Sequence, residues 1–329
     1  MDLSISQGPM NNNCKLSSLK NGGIPNLTSL KFGKIDFDTL DNSTLLKWLE
    51  TTSRLVNLEL FMDSHLSHNI LKDLPHCLSK MESLRRLRLR VLHVNDIHFV
   101  NEFATYLGNC SQLREFSFCF DFNTLDNDTL SKLGKSISNL TSLKSLDVDI
   151  YKCTYLTYAF DHSGIKSLLD GISQLTELEE ISISLIGNEA QWEYIKNLVN
   201  LRKLSLEFRY SEVNENNQLL LGKILPKLNK LESVILILYP YSCWFESSLM
   251  NLFVGLGNLN DLSCLKLILG IFEFSEILAK MILKIIWSLK ALSSVDLEFV
   301  ARNKKEDIKE YLKNGFKLLN KRMKATFQG

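Results

Sequence analysis

A six-residue phrase returns ten times along this chain: a leucine, two mostly polar residues, an aliphatic one, a single further residue, then a third aliphatic or aromatic one. It begins at Leu27, Leu55, Leu84, Leu113, Leu143, Leu178, Leu201, Leu231, Leu262 and Leu292. Successive starts lie 28, 29, 29, 30, 35, 23, 30, 31 and 30 residues apart. So regular a period is that of a solenoid, in which each unit buries its apolar side against its neighbours. A length of 329 residues would otherwise suggest two domains. Such an array presents a long surface and ordinarily no catalytic pocket, so the functional question becomes which face binds what.

One repeat shows how the pattern builds a unit. In Leu143 to Gln174, Leu146 and Val148 alternate with Ser145, Asp147 and Asp149, the period of a strand with one buried face. Ile165, Leu168, Leu169, Ile172 and Leu175 then recur at helical spacing. The helix carries the chain back to the start of the next strand, which therefore runs parallel to the last through a right-handed crossover. Equivalent positions of adjacent repeats become lateral neighbours about 4.8 Å apart.

The phrases LVNLEL, LRRLRL, LKSLDV and LRKLSL resemble the leucine-rich repeat, and the period of 28 to 31 residues is similar to that of its ribonuclease-inhibitor-like subclass. The resemblance covers Leu27 to the C-terminus. It implies an α/β leucine-rich repeat solenoid, or horseshoe, with a parallel concave β-sheet and convex helices, and protein recognition through the concave face. One departure is systematic. Where the family places Asn or Cys eight residues after the first leucine, this chain has Ile35, Asp63, Leu92, Asp121, Tyr151, Ile186, Arg209, Tyr239, Gly270 and Val300. The buried amide ladder that the family uses at that turn is therefore expected to be absent.

Register arithmetic extends the array at both ends. Leu3 and Ile5 occupy the inward positions of a strand about one period ahead of Leu30 and Phe32, which makes residues 1–26 half a repeat or a cap before ten repeats over 27–301. Residues 302–329 read as a capping helix and a degenerate strand with Met323 and Ala325 inward. From Arg302 to Lys324, nine Lys or Arg stand against Glu306, Asp307 and Glu310, with Ile308, Tyr311, Leu312, Leu318 and Leu319 at roughly helical spacing. Lysine stems on such a helix cover apolar surface while their heads stay wet. The 35-residue repeat carries an insertion from Tyr151 to Gly164, whose Tyr151, Tyr155, Tyr158 and Phe160 are expected to plug the turn between repeats.

Positions three, five and seven of each phrase point to the concave face. The third phrase places Arg86, Arg88 and Arg90 there with Arg85 beside them, four of the ten arginines within six residues. Alternate residues on a strand stand about 7 Å apart, so each adjacent pair repels by ~0.6 kcal/mol in a water-like dielectric. Cross-strand pairing would relieve this, with Glu59 beside Arg88 and Glu115 beside Arg86. It does not reach Arg90, flanked by Phe61 and Cys119, whose guanidinium is left to lie on an aromatic ring. Asp147 and Asp149 are flanked by serines and a cysteine and form an acidic spot, but one strand supplies too few oxygens for a cation cage. The eighth phrase runs Val234-Ile-Leu-Ile-Leu238, apolar on both faces. Ile235 and Ile237 must then face outward, joined by Ile268 and by Tyr239 and Tyr241 at the loop, in an apolar patch of the kind that marks an interface.

The remaining signals exclude more than they suggest. A net charge of +1 argues against a field that draws the molecule to nucleic acid. Seven cysteines without a CxxC pair fit neither a disulfide framework nor a zinc ribbon. With no signal-peptide pattern at Met1, they point to a reduced cytoplasmic or nuclear setting and not to secretion. The Asn-X-Ser/Thr triplets at Asn26, Asn42, Asn109, Asn127 and Asn139 then read as turn or helix-cap chemistry. The most apolar stretch, Ile277 to Trp287, is broken by Lys280 and Lys284, too short and too charged to span a membrane. His65 and His68 lack a third ligand for zinc, and Gly255-Leu-Gly257 follows a helix and lacks the third glycine of a dinucleotide loop. There is no GxSxG or Walker sequence.

The expectation is a non-enzymatic recognition or scaffold module that needs no cofactor, metal or small-molecule substrate and grips a protein partner through its concave face. Arg85, Arg86, Arg88, Arg90, Asp147, Asp149, Ile235, Ile237, Ile268 and Tyr239 are the candidate contacts. Two alternatives stand beside it. One is a structural subunit held in a large assembly by its convex helices and basic C-terminus; the other is a GTPase-activating or ligase-adaptor protein on the same repeat.

Overall fold

Each phrase enters a strand and each interval returns through a helix, wherever the computed structural model describes the chain: residues 2–5, 26–35, 46, 49–63, 68–92, 97–121, 125–150, 163–186, 192–209, 215–238, 244–271 and 275–301. The chain divides into two compact units, Met1–Glu177 and Leu178–Gly329. In the first, strands β1 (Asp2–Ile5), β2 (Ser29–Ile35), β3 (Asn57–Asp63), β4 (Arg86–Leu92), β5 (Glu115–Asp121) and β6 (Ser145–Asp149) pair in that order, all parallel. Helices α1 (His68–Ser79), α2 (Ile97–Leu107), α3 (Asn127–Ile137) and α4 (Ser163–Ile172) form the returns. In the second, β7 (Glu180–Ile186), β8 (Lys203–Arg209), β9 (Ser233–Leu238), β10 (Cys264–Ile271) and β11 (Ser294–Ala301) pair likewise. Their returns are a 3-10 helix at Trp192–Asn197, then α5 (Glu215–Ile224), α6 (Glu246–Leu256) and α7 (Glu276–Ser288).

The recurring leucines line up as the repeat requires. The first leucine of every phrase but the last is completely buried, and Leu292 keeps 6% of its surface. Register places Leu58, Leu87, Phe116 and Leu146 side by side in the first unit and Leu204, Val234, Leu265 and Val295 in the second, all buried. At the start of the chain, Leu3 pairs with Leu30 and Ile5 with Phe32, the register read from the period. The parallel strand, leucine spine and returning helix together make this the leucine-rich repeat solenoid.

Within each unit a carbonyl ladder ties repeats together at the strand entries. The amides of Arg85 and Arg86 both donate to the Val56 carbonyl, those of Arg114 and Glu115 to Arg85, and those of Lys144 and Ser145 to Arg114. The second unit repeats it from Glu179 through Arg202 and Glu232 to Ser263. One carbonyl has two lone pairs, so this arrangement satisfies two amides per repeat where the chain turns into the sheet.

Aromatic side chains fill the core at two places. In the first unit Phe99, Phe103, Phe116, Phe118 and Phe120 are buried in mutual contact, their linked ring centroids 5.1 to 6.4 Å apart. In the second, the 23-residue repeat has room for only the six-residue 3-10 helix. Trp192 and Tyr194 fill the space beneath it, with the indole edge-on to Phe208 at 5.1 Å. Burial pushes the Tyr194 phenol well above its ordinary range.

Helix neighbours approach to backbone contact where glycine allows it. A Cβ added at Gly171 on α4 would lie 2.0 Å from the Gly134 carbonyl oxygen on α3, and one at Gly255 on α6 would lie 2.4 Å from that of Gly222 on α5. Gly255 is thus a packing residue within a helix. Polar side chains meet the helix starts. Asp126 accepts from the Thr129 amide at 2.8 Å to cap α3, and Ser275 accepts from Leu278 at 3.1 Å to cap α7. Asn127, one of the triplet asparagines, reaches into the next repeat and accepts from the Gly164 amide at 3.1 Å. The wholly buried Gln218 does the same for Phe245, at the start of α6, at 3.2 Å.

Candidate interaction face

Positions three, five and seven of the phrases lie on the sheet face opposite the helices, and their side chains are half-buried or exposed at every described position. The first unit's face is charged. Arg86, Arg88 and Arg90 stand outward on β4 while Leu87, Leu89 and Val91 are buried beneath them. Arg86 grips Glu115 through two hydrogen bonds of 2.5 and 2.6 Å. Those bonds hold the Glu115 carboxyl below its ordinary range and raise the Arg86 guanidinium above its own. Arg85 leaves the row, donating to the carbonyls of Glu82 and Leu84 at 2.7 and 3.2 Å.

The pairing expected between Glu59 and Arg88 does not form. Glu59 lies beside Arg88 in register, but its carboxylate closes on Lys31 of β2 at 2.8 Å. Of the two cations flanking Glu59 on adjacent strands, the lysine is the one that closes on it. Arg88 therefore has no ion pair among the described residues. Arg90 does as the sequence suggested, its guanidinium lying over the Phe61 ring at 5.4 Å from the centroid. On β6, Asp147 accepts from the Ser117 hydroxyl at 2.9 Å and Asp149 from the Cys119 thiol at 3.4 Å. Among the described residues no group of three His, Cys, Asp or Glu converges as a metal site would require.

The second unit's face centres on carbon. Val234, Leu236 and Leu238 of β9 are buried and Ile235 and Ile237 are half-exposed on the opposite face. Ile268 stands beside Ile237, whereas the neighbour of Ile235 is Lys266, which bridges to Asp296 at 2.9 Å. The apolar patch is thus an L of three isoleucines and not a block. The row through its centre reads Glu207, Ile237, Ile268, Glu298 across β8 to β11. Sequence reading missed the flanking carboxylates, although they follow from the same register arithmetic. At the strand entries Lys203 pairs with Glu180 at 2.6 Å and Arg202 with Glu232.

Other readings fall elsewhere. Tyr239 and Tyr241, residues 151–162 of the aromatic insertion that runs to Gly164, His65, and the whole of 302–329 lie outside the described residues. Lys280 and Lys284 sit on the 13-residue α7, and among the described residues no helix is long and apolar enough to cross a membrane. The helical layer also carries exposed apolar side chains that the repeat phrase does not reveal: Val254 at 53%, Ile277 at 70% and Trp287 at 55%.

No family model matches the sequence, and no curated protein does. Among solved structures the chain is similar to an internalin C2 from Listeria monocytogenes, at 14% identity over 77% of this chain and 74% of that one, with a TM-score of 0.35.

Proposed function

We propose that the chain is a non-enzymatic recognition or scaffold module that docks a protein partner on the face of its sheet opposite the helices. The observation that carries this reading is β9. A strand with one face in water ordinarily alternates apolar and polar residues, yet here the outward positions are Ile235 and Ile237, with Ile268 beside them. Completing the burial of such side chains contributes up to roughly 1.5 to 3 kcal/mol each, enough for two or three to anchor an interface. The arginines of β4 supply the directional part, since guanidinium groups select carboxylates and set register. Periods of 28 to 31 residues and α-helical returns of 10 to 13 residues support the ribonuclease-inhibitor-like form of the repeat. Cys77, Cys110, Cys119 and Cys264 form no disulfide, which fits a cytoplasmic or nuclear setting, and burial pushes the thiols of Cys77 and Cys110 up to about 11.

The test is capture of the partner from cell extract by wild type and by Ile237→Asp, followed by identification of what is retained. The reading expects the partner to be lost from the variant while folding, followed by circular dichroism, is kept. Unchanged capture would remove the anchor.

A second reading is favoured by one observation, the exposure of Val254, Ile277 and Trp287 on α6 and α7. A subunit held in a larger assembly by its helical layer would show such side chains. Size-exclusion chromatography of the isolated chain separates the two, because that reading expects aggregation which Ile277→Lys with Trp287→Lys relieves.

A further inference from the structure

The four arginines around β4 do not share one fate. Arg85 is tied to backbone carbonyls and Arg86 to both oxygens of Glu115. Arg88 and Arg90 remain, exposed and without an ion pair among the described residues: the carboxylate beside Arg88 on β3 closes on Lys31, and Glu115, which also feels the Arg88 charge, is gripped by Arg86. Their placement is nonetheless ordered. Both rise from a strand whose alternate residues are buried, and Arg90 is held over the Phe61 ring. A cation stacked on an aromatic face keeps its edge N–H groups free to donate.

Building two like charges about 7 Å apart on a strand is unfavourable until an anion meets them. That separation is also the spacing between alternate side chains of another extended chain. We propose that Arg88 and Arg90 form the recognition site for an acidic, extended segment of the partner protein, laid along β4 with two carboxylates two residues apart, one to each guanidinium. The site rests on the reading that this face binds a protein and adds the chemistry of what is bound there. Asp147, which accepts from the neutral Ser117 hydroxyl and has no ion pair among the described residues, lies two strands from Arg88. It repels a segment displaced toward β6 and so sets the lateral position. Glu115, occupied by Arg86, leaves the Arg88 and Arg90 end of the strand as the acceptor of negative charge.

Two labelled peptides test this on the full chain by fluorescence anisotropy at low salt: Thr-Glu-Thr-Glu-Thr with blocked ends, and the same peptide with both Glu changed to Gln. The glutamate peptide is expected to bind and the glutamine peptide to bind at least about tenfold more weakly, the cost of losing charge-assisted hydrogen bonds. Arg88→Gln with Arg90→Gln should abolish the difference, whereas Arg202→Gln, which removes an exposed arginine paired elsewhere, should preserve it. Equal binding of the two peptides, or a preference that survives the double variant, would overturn the proposal. Failure here with loss of the captured partner in Ile237→Asp leaves the broader reading standing, while a preference located at Arg88 and Arg90 with capture insensitive to Ile237 condemns only the isoleucine anchor.

Discussion

The faces of the first and second units are built on the same strand, the same spine and the same carbonyl ladder, and they differ in what the outward positions hold. On β4 those positions carry three arginines and on β9 two isoleucines, while the inward residues of both strands are uniformly aliphatic and buried. The comparison separates two kinds of constraint. Inward positions must fill a close-packed space and admit only apolar residues of the right volume. Outward positions carry almost no folding requirement, so they can hold arginine in one unit and isoleucine in the other without disturbing the spine.

The sharpest way to break that distinction is to change neighbours on one strand. Leu236→Asp puts a carboxylate into the spine and is expected to cost more than about 4 kcal/mol in urea unfolding, enough to prevent folding of the second unit. Ile237→Asp, one residue along and on the other face, should cost no more than about 1 kcal/mol. Equal costs would mean that Ile237 is part of the core and not of a surface.

The next test asks whether the two units share their helix packing. Gly171→Ala and Gly255→Ala each place a methyl group within 2.0 and 2.4 Å of a neighbouring carbonyl oxygen. Each should destabilise its unit by about 2 to 3 kcal/mol, read as a shift in the denaturant midpoint. A smaller effect follows at the helix caps, where Asp126→Ala in the first unit and Ser275→Ala in the second should each cost about 1 kcal/mol. Asp126 adds a pH signature: burial alone would raise its carboxyl, but the hydrogen bonds from Thr129 outweigh it and the net shift is downward.

The smallest expected effect distinguishes the faces by acid. The hydrogen bonds from Arg86 lower the Glu115 carboxyl in the folded state, so their contribution is full above the ordinary carboxylate range and is lost as pH falls through the lowered value. An exposed pair of this kind is worth under about 1 kcal/mol. Arg86→Ala should therefore be slightly less stable than wild type at pH 7 and indistinguishable from it in strong acid. Ile237→Ala should show no such convergence, since no proton is involved.

Much of the architecture was legible because it is periodic. Counting from one leucine to the next predicted that Leu3 would lie beside Leu30, that Arg90 would lie beside Phe61, and that Ile235 and Ile237 would face away from Leu236. The arithmetic fared worse where two groups compete for one. It offered Glu59 to Arg88, but Lys31 has the same lateral access from the other side and is the one that closes on it. It also offered Asn127, among the triplet asparagines, as turn or helix-cap chemistry, and the structure gives the cap of α3 to Asp126 while Asn127 meets Gly164 at the start of α4. The close helix approaches at Gly171 and Gly255 carry no mark in the phrase at all, because they depend on the distance between helices that are about one repeat apart in the chain.

The sequence alone therefore determined the repeat, the parallel pairing, the register and which side of each strand faces the helices, since all of these follow from apolar residues recurring at fixed intervals. Only the tertiary structure decided which charges are spent on one another and which stand without an ion pair. Ion pairs form between side chains that meet across strands, and each carboxylate between two cations must be assigned by distance and reach, quantities that exist only once the chain has folded.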